Sequence, residues 1–93
     1  MSDQQIGVVG AGTMGQGIAQ VVAASGYQVH LYDVAEEQLS RAKANIDKGL
    51  TKLVAKEKIS EADKSAALAR VSTTTSLDSL SDCAVIIEAA PEQ

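Results

Sequence analysis

Residues 7–20 read GVVGAGTMGQGIAQ, and this stretch decides the fold because it places glycines where an apolar run gives way to a helical pattern. Glycine inside a helix or strand costs about 0.5 to 1 kcal/mol relative to alanine. A cluster of them at such a junction therefore indicates that another group approaches the backbone closely. The glycines concerned are Gly10, Gly12, Gly15 and Gly17.

Apolar periodicity on either side of this stretch predicts strands alternating with helices. Strands are predicted at residues 5–9, 28–32, 71–75 and 84–88, and residues 76–82 are predicted to form a turn or a single helical turn. A first helix runs from Gly12 to a stop at Ser25 and Gly26, with its recurring apolar positions at Met14, Ile18, Val21 and Val22. Strands separated by helices pair in parallel through right-handed crossovers, and the expected strand order is 3-2-1-4.

A helical hairpin is predicted between the second and third strands. Its long first helix carries an apolar stripe at Leu39, Ala42, Ile46, Leu50, Leu53 and Val54. Ser60 and Asp63 resemble the start of a shorter second helix over residues 61–69. The sequence therefore predicts an α/β, Rossmann-type parallel sheet with a helical hairpin arm.

The glycines satisfy the pattern G-x-G-x-x-G in the context that a dinucleotide site needs, after a strand and at the start of a helix. Gly10 allows a tight turn, Gly12 lets a pyrophosphate approach the main chain, and Gly15 allows close packing of helix and strand. Gly17 is expected to extend that packing by one turn. Asp33 ends the second strand, where a carboxylate accepts hydrogen bonds from ribose hydroxyls and repels a 2′-phosphate, which favours NAD over NADP. FAD shares the fingerprint, so the motif alone leaves both cofactors open.

Composition narrows the class of protein further. The net charge of −4 argues against a nucleic-acid partner, and no apolar run is long enough to span a membrane. All Lys and Arg residues lie between Arg41 and Arg70. The single cysteine, Cys83, has no disulfide partner or metal-ligand companion and is expected to be a small buried hydrophobe. These features, with the absence of a signal peptide, predict a cytoplasmic location.

The chain resembles the 3-hydroxyacyl-CoA dehydrogenase family, including the bacterial 3-hydroxybutyryl-CoA enzymes. The resemblance is carried by GAGTMGQGIAQVVAASGYQVHLYD, by the helical arm through KGLTKLVAKEKIS and by VIIEAAPE. It implies an NAD-dependent oxidoreductase of fatty acid metabolism that oxidises the 3-hydroxyl of an acyl-CoA to a ketone. It also implies that residues 1–93 are the N-terminal part of a dinucleotide-binding domain, without the catalytic and C-terminal helical domains, and that the complete enzyme is a homo-oligomer.

The resemblance also implies roles for individual residues. Asp33 would bind the adenosine ribose, Glu92 would help to place the nicotinamide half, and Lys56 matches a lysine that contacts coenzyme A. Where the family often has a serine that contacts coenzyme A, this chain has Gly49. The residues expected around the pyrophosphate are Gly10, Ala11, Gly12, Thr13, Met14 and Gly15.

Two features leave alternative functions open. Lys48, Lys52 and Lys56 are also typical of a solvated helix face. The catalytic His-Glu pair of the family has no counterpart here, because His30, the single histidine, is predicted to be structural and Glu88 lacks a histidine partner. This chain alone is therefore predicted to be inactive, and a stand-alone nucleotide-binding or structural module without catalysis is the alternative.

Overall fold

The computed structural model of the protein describes residues 4–89. Four strands alternate with helices over this part of the chain. The elements are β1 (Gln5–Val9), α1 (Thr13–Ala24), β2 (Gln28–Tyr32), α2 (Glu36–Ala55), α3 (Glu61–Ala69), β3 (Val71–Thr74), one 3₁₀ turn (Leu77–Leu80) and β4 (Val85–Glu88). The predicted third and fourth strands were each one residue too long.

All strand pairs are parallel, and the sheet order is β3-β2-β1-β4, which confirms the predicted topology. Val9 is in register with Tyr32 and with Glu88, and Tyr32 is in register with Thr74. The carboxyl ends of the four strands therefore form one level edge. In open parallel sheets ligands bind at this edge.

The helices and the 3₁₀ turn cover the sheet. α1 contacts β1, α2 contacts β3, and the three α-helices contact one another. The 3₁₀ turn covers the central strand at Gly7, where a Cβ would lie 2.9 Å from Cδ2 of Leu80. Cys83 contacts the same position, but it is only half-buried, so the expectation of a buried cysteine was wrong. Its place just before β4 leaves the thiol partly open, and desolvation, reinforced by the nearby charge of Asp82, raises its pKa.

The buried face of α1 differs from the one that its large apolar residues predicted. Gly15, Ala19 and Ala23 are buried, whereas Met14 and Val21 are each 65% exposed. Small residues spaced four apart form one row along a helix, and they allow its backbone to lie close to a neighbouring surface. The close packing of α1 thus rests on small side chains, with Ile18 and Val22 at the margin of the core.

The helical hairpin follows its predicted pattern more closely. Leu39, Ala42, Ile46 and Leu50 are buried along α2. At the start of α3 the Ser60 hydroxyl accepts a hydrogen bond from the Asp63 N–H at 3.0 Å, and the Asp63 carboxylate accepts one from the Ser60 N–H at 3.2 Å. This reciprocal pair is a capping box.

Candidate dinucleotide-binding site

The glycine-rich loop leaves β1 at the carboxyl edge of the sheet. Gly10 has a φ of 105°, a left-handed conformation that favours glycine. Its N–H donates to the Tyr32 carbonyl at 2.8 Å, so the loop continues the pairing with β2 for one residue before it turns into α1.

Gly15 brings the first turn of α1 against this loop. A Cβ on Gly15 would lie 1.7 Å from the carbonyl oxygen of Gly10, a distance that no side chain can occupy. The close packing predicted for Gly15 is therefore present, and its contact is with the backbone of the loop. Gly17 does not extend it, because Gly17 is exposed and a Cβ there would meet no atom within 4 Å.

Gly12 precedes α1 and leaves the helix N-terminus open. It occupies the N-cap position and has no side chain with which to cap the first turn. A Cβ on Gly12 would meet nothing within 4 Å, so the space beside it is free. The first N–H groups of a helix lack partners within the helix and carry the positive end of its dipole. An uncapped helix start beside open space suits a pyrophosphate.

Asp33 follows β2 and lies against the same loop. Its Oδ2 accepts a hydrogen bond from the Ala11 N–H at 2.9 Å, and its Oδ1 accepts one from the Ala35 N–H at 3.0 Å. These bonds, that to Ala11 first, lower the pKa of Asp33 against the opposing effect of burial. A carboxylate has about four lone-pair sites, so each oxygen retains capacity for a ribose hydroxyl.

A small open pocket of about 160 Å³ lies beside this carboxylate. It is lined by Val9, Gly10, Tyr32, Asp33 and Val34. The pocket lies between the ends of β1 and β2, beside the loop and Asp33. Of the other predicted loop residues, Thr13 and Met14 are exposed in the first turn of α1, and Ala11 is buried.

The structure does not bring Lys56 to this edge. Lys56 is the C-cap residue of α2, and the helix of 20 residues sets it about 30 Å from Glu36. Lys48, Lys52 and Lys56 are all exposed, as a solvated face or a binding face requires. Glu92 lies outside the described residues.

Gly49 has a packing role that the sequence did not reveal. A Cβ there would lie 2.2 Å from Oε1 of Gln20 on α1. The side chain of Gln20 thus rests on the backbone of α2. This contact accounts for a glycine within a long helix, where glycine is otherwise unfavourable by about 1 kcal/mol.

His30 is remote from the dinucleotide edge. Its Nε2 is hydrogen-bonded at 2.5 Å to Oε1 of Gln5, the first residue of β1. The imidazole therefore faces the amino end of the sheet, which agrees with the structural role predicted for it.

Comparison with known proteins places the chain in one family. The family model of the 3-hydroxyacyl-CoA dehydrogenase NAD-binding domain matches residues 5–93. The chain belongs to the 3-hydroxyacyl-CoA dehydrogenase family. Its matching part is the NAD-binding domain, and NAD is the cofactor of that domain.

Individual relatives of this dehydrogenase family agree with the match. The chain is 41% identical over 90 residues to a 3-hydroxybutyryl-CoA dehydrogenase of Bradyrhizobium diazoefficiens, covering 97% of this chain and 31% of the relative. It is 42% identical over 94 residues to a protein of the same name from Mycobacterium tuberculosis, covering 99% and 33%. The crystal structure of (S)-3-hydroxybutyryl-CoA dehydrogenase from Ralstonia eutropha superposes with a TM-score of 0.93 at 43% identity, covering 99% and 32%. The chain thus spans about a third of the length of these relatives.

Proposed function

We propose that the glycine-rich loop and Asp33 bind the adenosine diphosphate half of NAD. In this arrangement the backbone from Gly10 to Gly15 surrounds the pyrophosphate, and the Asp33 carboxylate accepts hydrogen bonds from the adenosine ribose. The observation that carries the proposal is the contact of Asp33 with the Ala11 N–H, because it sets a ribose acceptor directly beside the open helix start.

We further propose that residues 1–93 are the N-terminal part of a dinucleotide-binding domain in an enzyme that oxidises 3-hydroxyacyl-CoA to 3-oxoacyl-CoA. NAD, when bound, accepts the hydride from the 3-hydroxyl carbon. The names of the relatives support this substrate class. The described residues of this chain supply binding and orientation of the cofactor, since its single histidine is engaged with Gln5 at the other end of the sheet.

Two residues extend this proposal beyond the adenosine half. Glu92 would help to place the nicotinamide half, and Lys56 would contact coenzyme A in the complete enzyme. The exposed row that Lys56 shares with Lys48 and Lys52 supports the second role, because clustered cations attract phosphate groups.

The location and the assembly of the complete enzyme are proposed from the composition and the exposed residues of the chain. Within residues 4–89, no helix is both long enough and apolar enough to cross a membrane. An acidic chain with a single cysteine fits a cytoplasmic protein that does not bind nucleic acid. The exposed apolar residues of α1 and β4 support assembly into a homo-oligomer.

Cofactor titration tests the binding proposal. NADH is expected to bind more tightly than NADPH, because the Asp33 carboxylate repels a 2′-phosphate. Asp33→Ala is expected to narrow that difference, whereas Asp82→Ala, at an exposed aspartate before β4, should leave it unchanged. Equal affinities of the unaltered protein for the two cofactors would refute the assignment of Asp33.

Catalysis is tested separately. We expect the 93-residue chain to produce no NADH from NAD and 3-hydroxybutyryl-CoA above a protein-free blank, because its single histidine is bonded to Gln5 at the other end of the sheet and cannot act as a general base beside the proposed cofactor site. Cofactor binding without turnover would support the proposal that these residues bind NAD but do not carry out the reaction. Turnover by this chain would contradict it.

A further inference from the structure

Gln16 connects the glycine-rich loop to the helical hairpin. Its side-chain Nε2 donates to the Ala11 carbonyl at 3.1 Å, and its Oε1 accepts from Nδ2 of Asn45 on α2 at 3.0 Å. Its backbone N–H donates to the Gly12 carbonyl at 2.9 Å. One residue of the first turn of α1 therefore holds two consecutive carbonyl groups of the loop.

The direction of this hydrogen-bond chain follows from its chemistry. A backbone carbonyl only accepts, so the Gln16 amide must face Ala11 with its nitrogen. That leaves Oε1 for α2, and Asn45 must meet it with Nδ2. Asn45 thereby favours the one orientation of Gln16 that holds the loop.

The Ala11 peptide groups are held from two sides. The Ala11 N–H is bonded to Asp33 and the Ala11 carbonyl to Gln16. The bond between Ala11 and Gly12 is trans, since the described residues contain no cis peptide. In a planar trans peptide the carbonyl and the following N–H point in opposite directions. Holding the Ala11 carbonyl toward Gln16 therefore directs the Gly12 N–H away from Gln16.

We propose that Gln16, oriented by Asn45, is a positioning residue that fixes the Ala11–Gly12 peptide plane so that the Gly12 N–H is directed at the dinucleotide pyrophosphate. This inference rests on the proposed function of the loop. The loop benefits from such support because Gly12 has no side chain to anchor it, and a Cβ there would meet no atom within 4 Å. An amide that is already aligned loses less conformational freedom when the phosphate binds.

Gln16→Met tests the role, because methionine keeps the length and helix propensity of glutamine but makes neither hydrogen bond. Gln20→Met is the matched control, since it makes the same substitution one turn later on α1, where the side chain packs on Gly49. Affinities for ADP-ribose and for adenosine are measured by NMR titration of each variant. Only ADP-ribose contains the pyrophosphate, so the difference between the two affinities reports the contribution of that group.

Gln16→Met is expected to weaken ADP-ribose binding about 3- to 10-fold, the effect of losing the hydrogen bond that holds the Ala11 carbonyl, and to leave adenosine binding and helix content unchanged. Asn45→Ala, at an exposed position, should produce a smaller loss of the same kind. The double variant should lose no more than Gln16→Met alone, because Asn45 acts through Gln16. Gln20→Met should alter neither affinity.

The outcomes separate this inference from the proposed function. If the unaltered protein fails to bind ADP-ribose, the proposed function is refuted and the pyrophosphate role of Gln16 with it. If it binds, but Gln16→Met binds equally well or Gln16→Met and Gln20→Met lose the same affinity, only the positioning role is refuted. An equal loss of affinity for ADP-ribose and adenosine in Gln16→Met would also refute it, since a general loss of structure weakens the binding of both.

Discussion

The Ala11 N–H donates to Oδ2 of Asp33 at 2.9 Å, so the carboxylate that follows β2 is bonded to the loop that follows β1. The same side chain accepts from the Ala35 N–H at 3.0 Å and thereby also orders the entry to α2. Asp33 thus stabilises the site in the free protein as well as offering acceptors to a ribose.

This bond makes stability depend on pH. Backbone hydrogen bonds lower the pKa of Asp33 in the folded protein. Its contribution is therefore complete at pH values above the ordinary aspartate pKa of about 3.9, and it is lost as the pH falls through the lowered pKa. We expect Asp33→Asn to destabilise the fold by about 1 to 2 kcal/mol at pH 7, and by less at pH 2.

Urea unfolding at pH 7 and pH 2 measures this difference. Asp82→Asn, at an exposed aspartate, serves as the control for the general effect of removing a negative charge. A destabilisation by Asp33→Asn that stayed constant between the two pH values would show that the carboxylate charge has no part in holding the loop.

Gly15 and Gly17 should respond in opposite directions to the same substitution. Gly15→Ala places a methyl group 1.7 Å from the Gly10 carbonyl oxygen, and we expect it to destabilise the fold by at least about 3 kcal/mol. Gly17→Ala enters open space on a helix and should stabilise it by about 0.5 to 1 kcal/mol. Urea unfolding measures the free energy of unfolding of both variants. Equal changes in that free energy would contradict the packing described for Gly15.

Gly12→Val should abolish dinucleotide binding and preserve the helices. The φ of Gly12 is −75°, which valine adopts readily, and a Cβ there meets no atom of the protein. The valine side chain would instead occupy the space that the proposed pyrophosphate needs. We expect a loss of NADH affinity of more than about 10-fold, with an unchanged circular dichroism spectrum.

Gly17→Val is the control for this experiment, since it places the same side chain in open space five residues along the chain. It should retain NADH binding. If Gly12→Val also retained binding, the loop would be only a turn.

β4 should mediate self-association of the 93-residue chain. It lies at one edge of the described sheet, and Val85 and Ile86 are 49% and 54% exposed. Unpaired strand edges and exposed apolar residues both favour association. We expect light scattering to report a dimer or a larger species at high concentration, joined near residues 84–89.

Ile86→Lys should weaken that association by about 10-fold or more. Leu77→Lys changes another exposed apolar residue, in the 3₁₀ turn, and should leave the association unchanged. A monomer at high concentration would contradict the prediction. Equal weakening by the two lysine variants would assign the effect to net charge.

The sequence alone determined the fold class and the strand order, and it predicted the loop that is proposed here as the dinucleotide site. Parallel pairing, right-handed crossovers and the glycine pattern are local or topological constraints, so they can be recognised from spacing. The same holds for the capping box of Ser60 and Asp63, because its partners are only three residues apart.

Only the tertiary structure decided which residues touch across elements. Met14 and Val21 were expected on the apolar face of α1, but the close approach of α1 selects Gly15, Ala19 and Ala23 as its buried residues. Hydrophobicity alone does not report this preference, because close packing depends on the size of the side chain.

The hydrogen bonds that hold the glycine-rich loop could not be predicted from the sequence for a related reason. Asp33 and Ala11 are 22 residues apart, and Gln16 and Asn45 are 29 residues apart. Hydrogen bonds over such separations depend on where the chain returns in space, and no periodicity encodes their geometry. The motif thus predicted the loop proposed here for the dinucleotide, whereas the tertiary structure decided which hydrogen bonds hold that loop in shape.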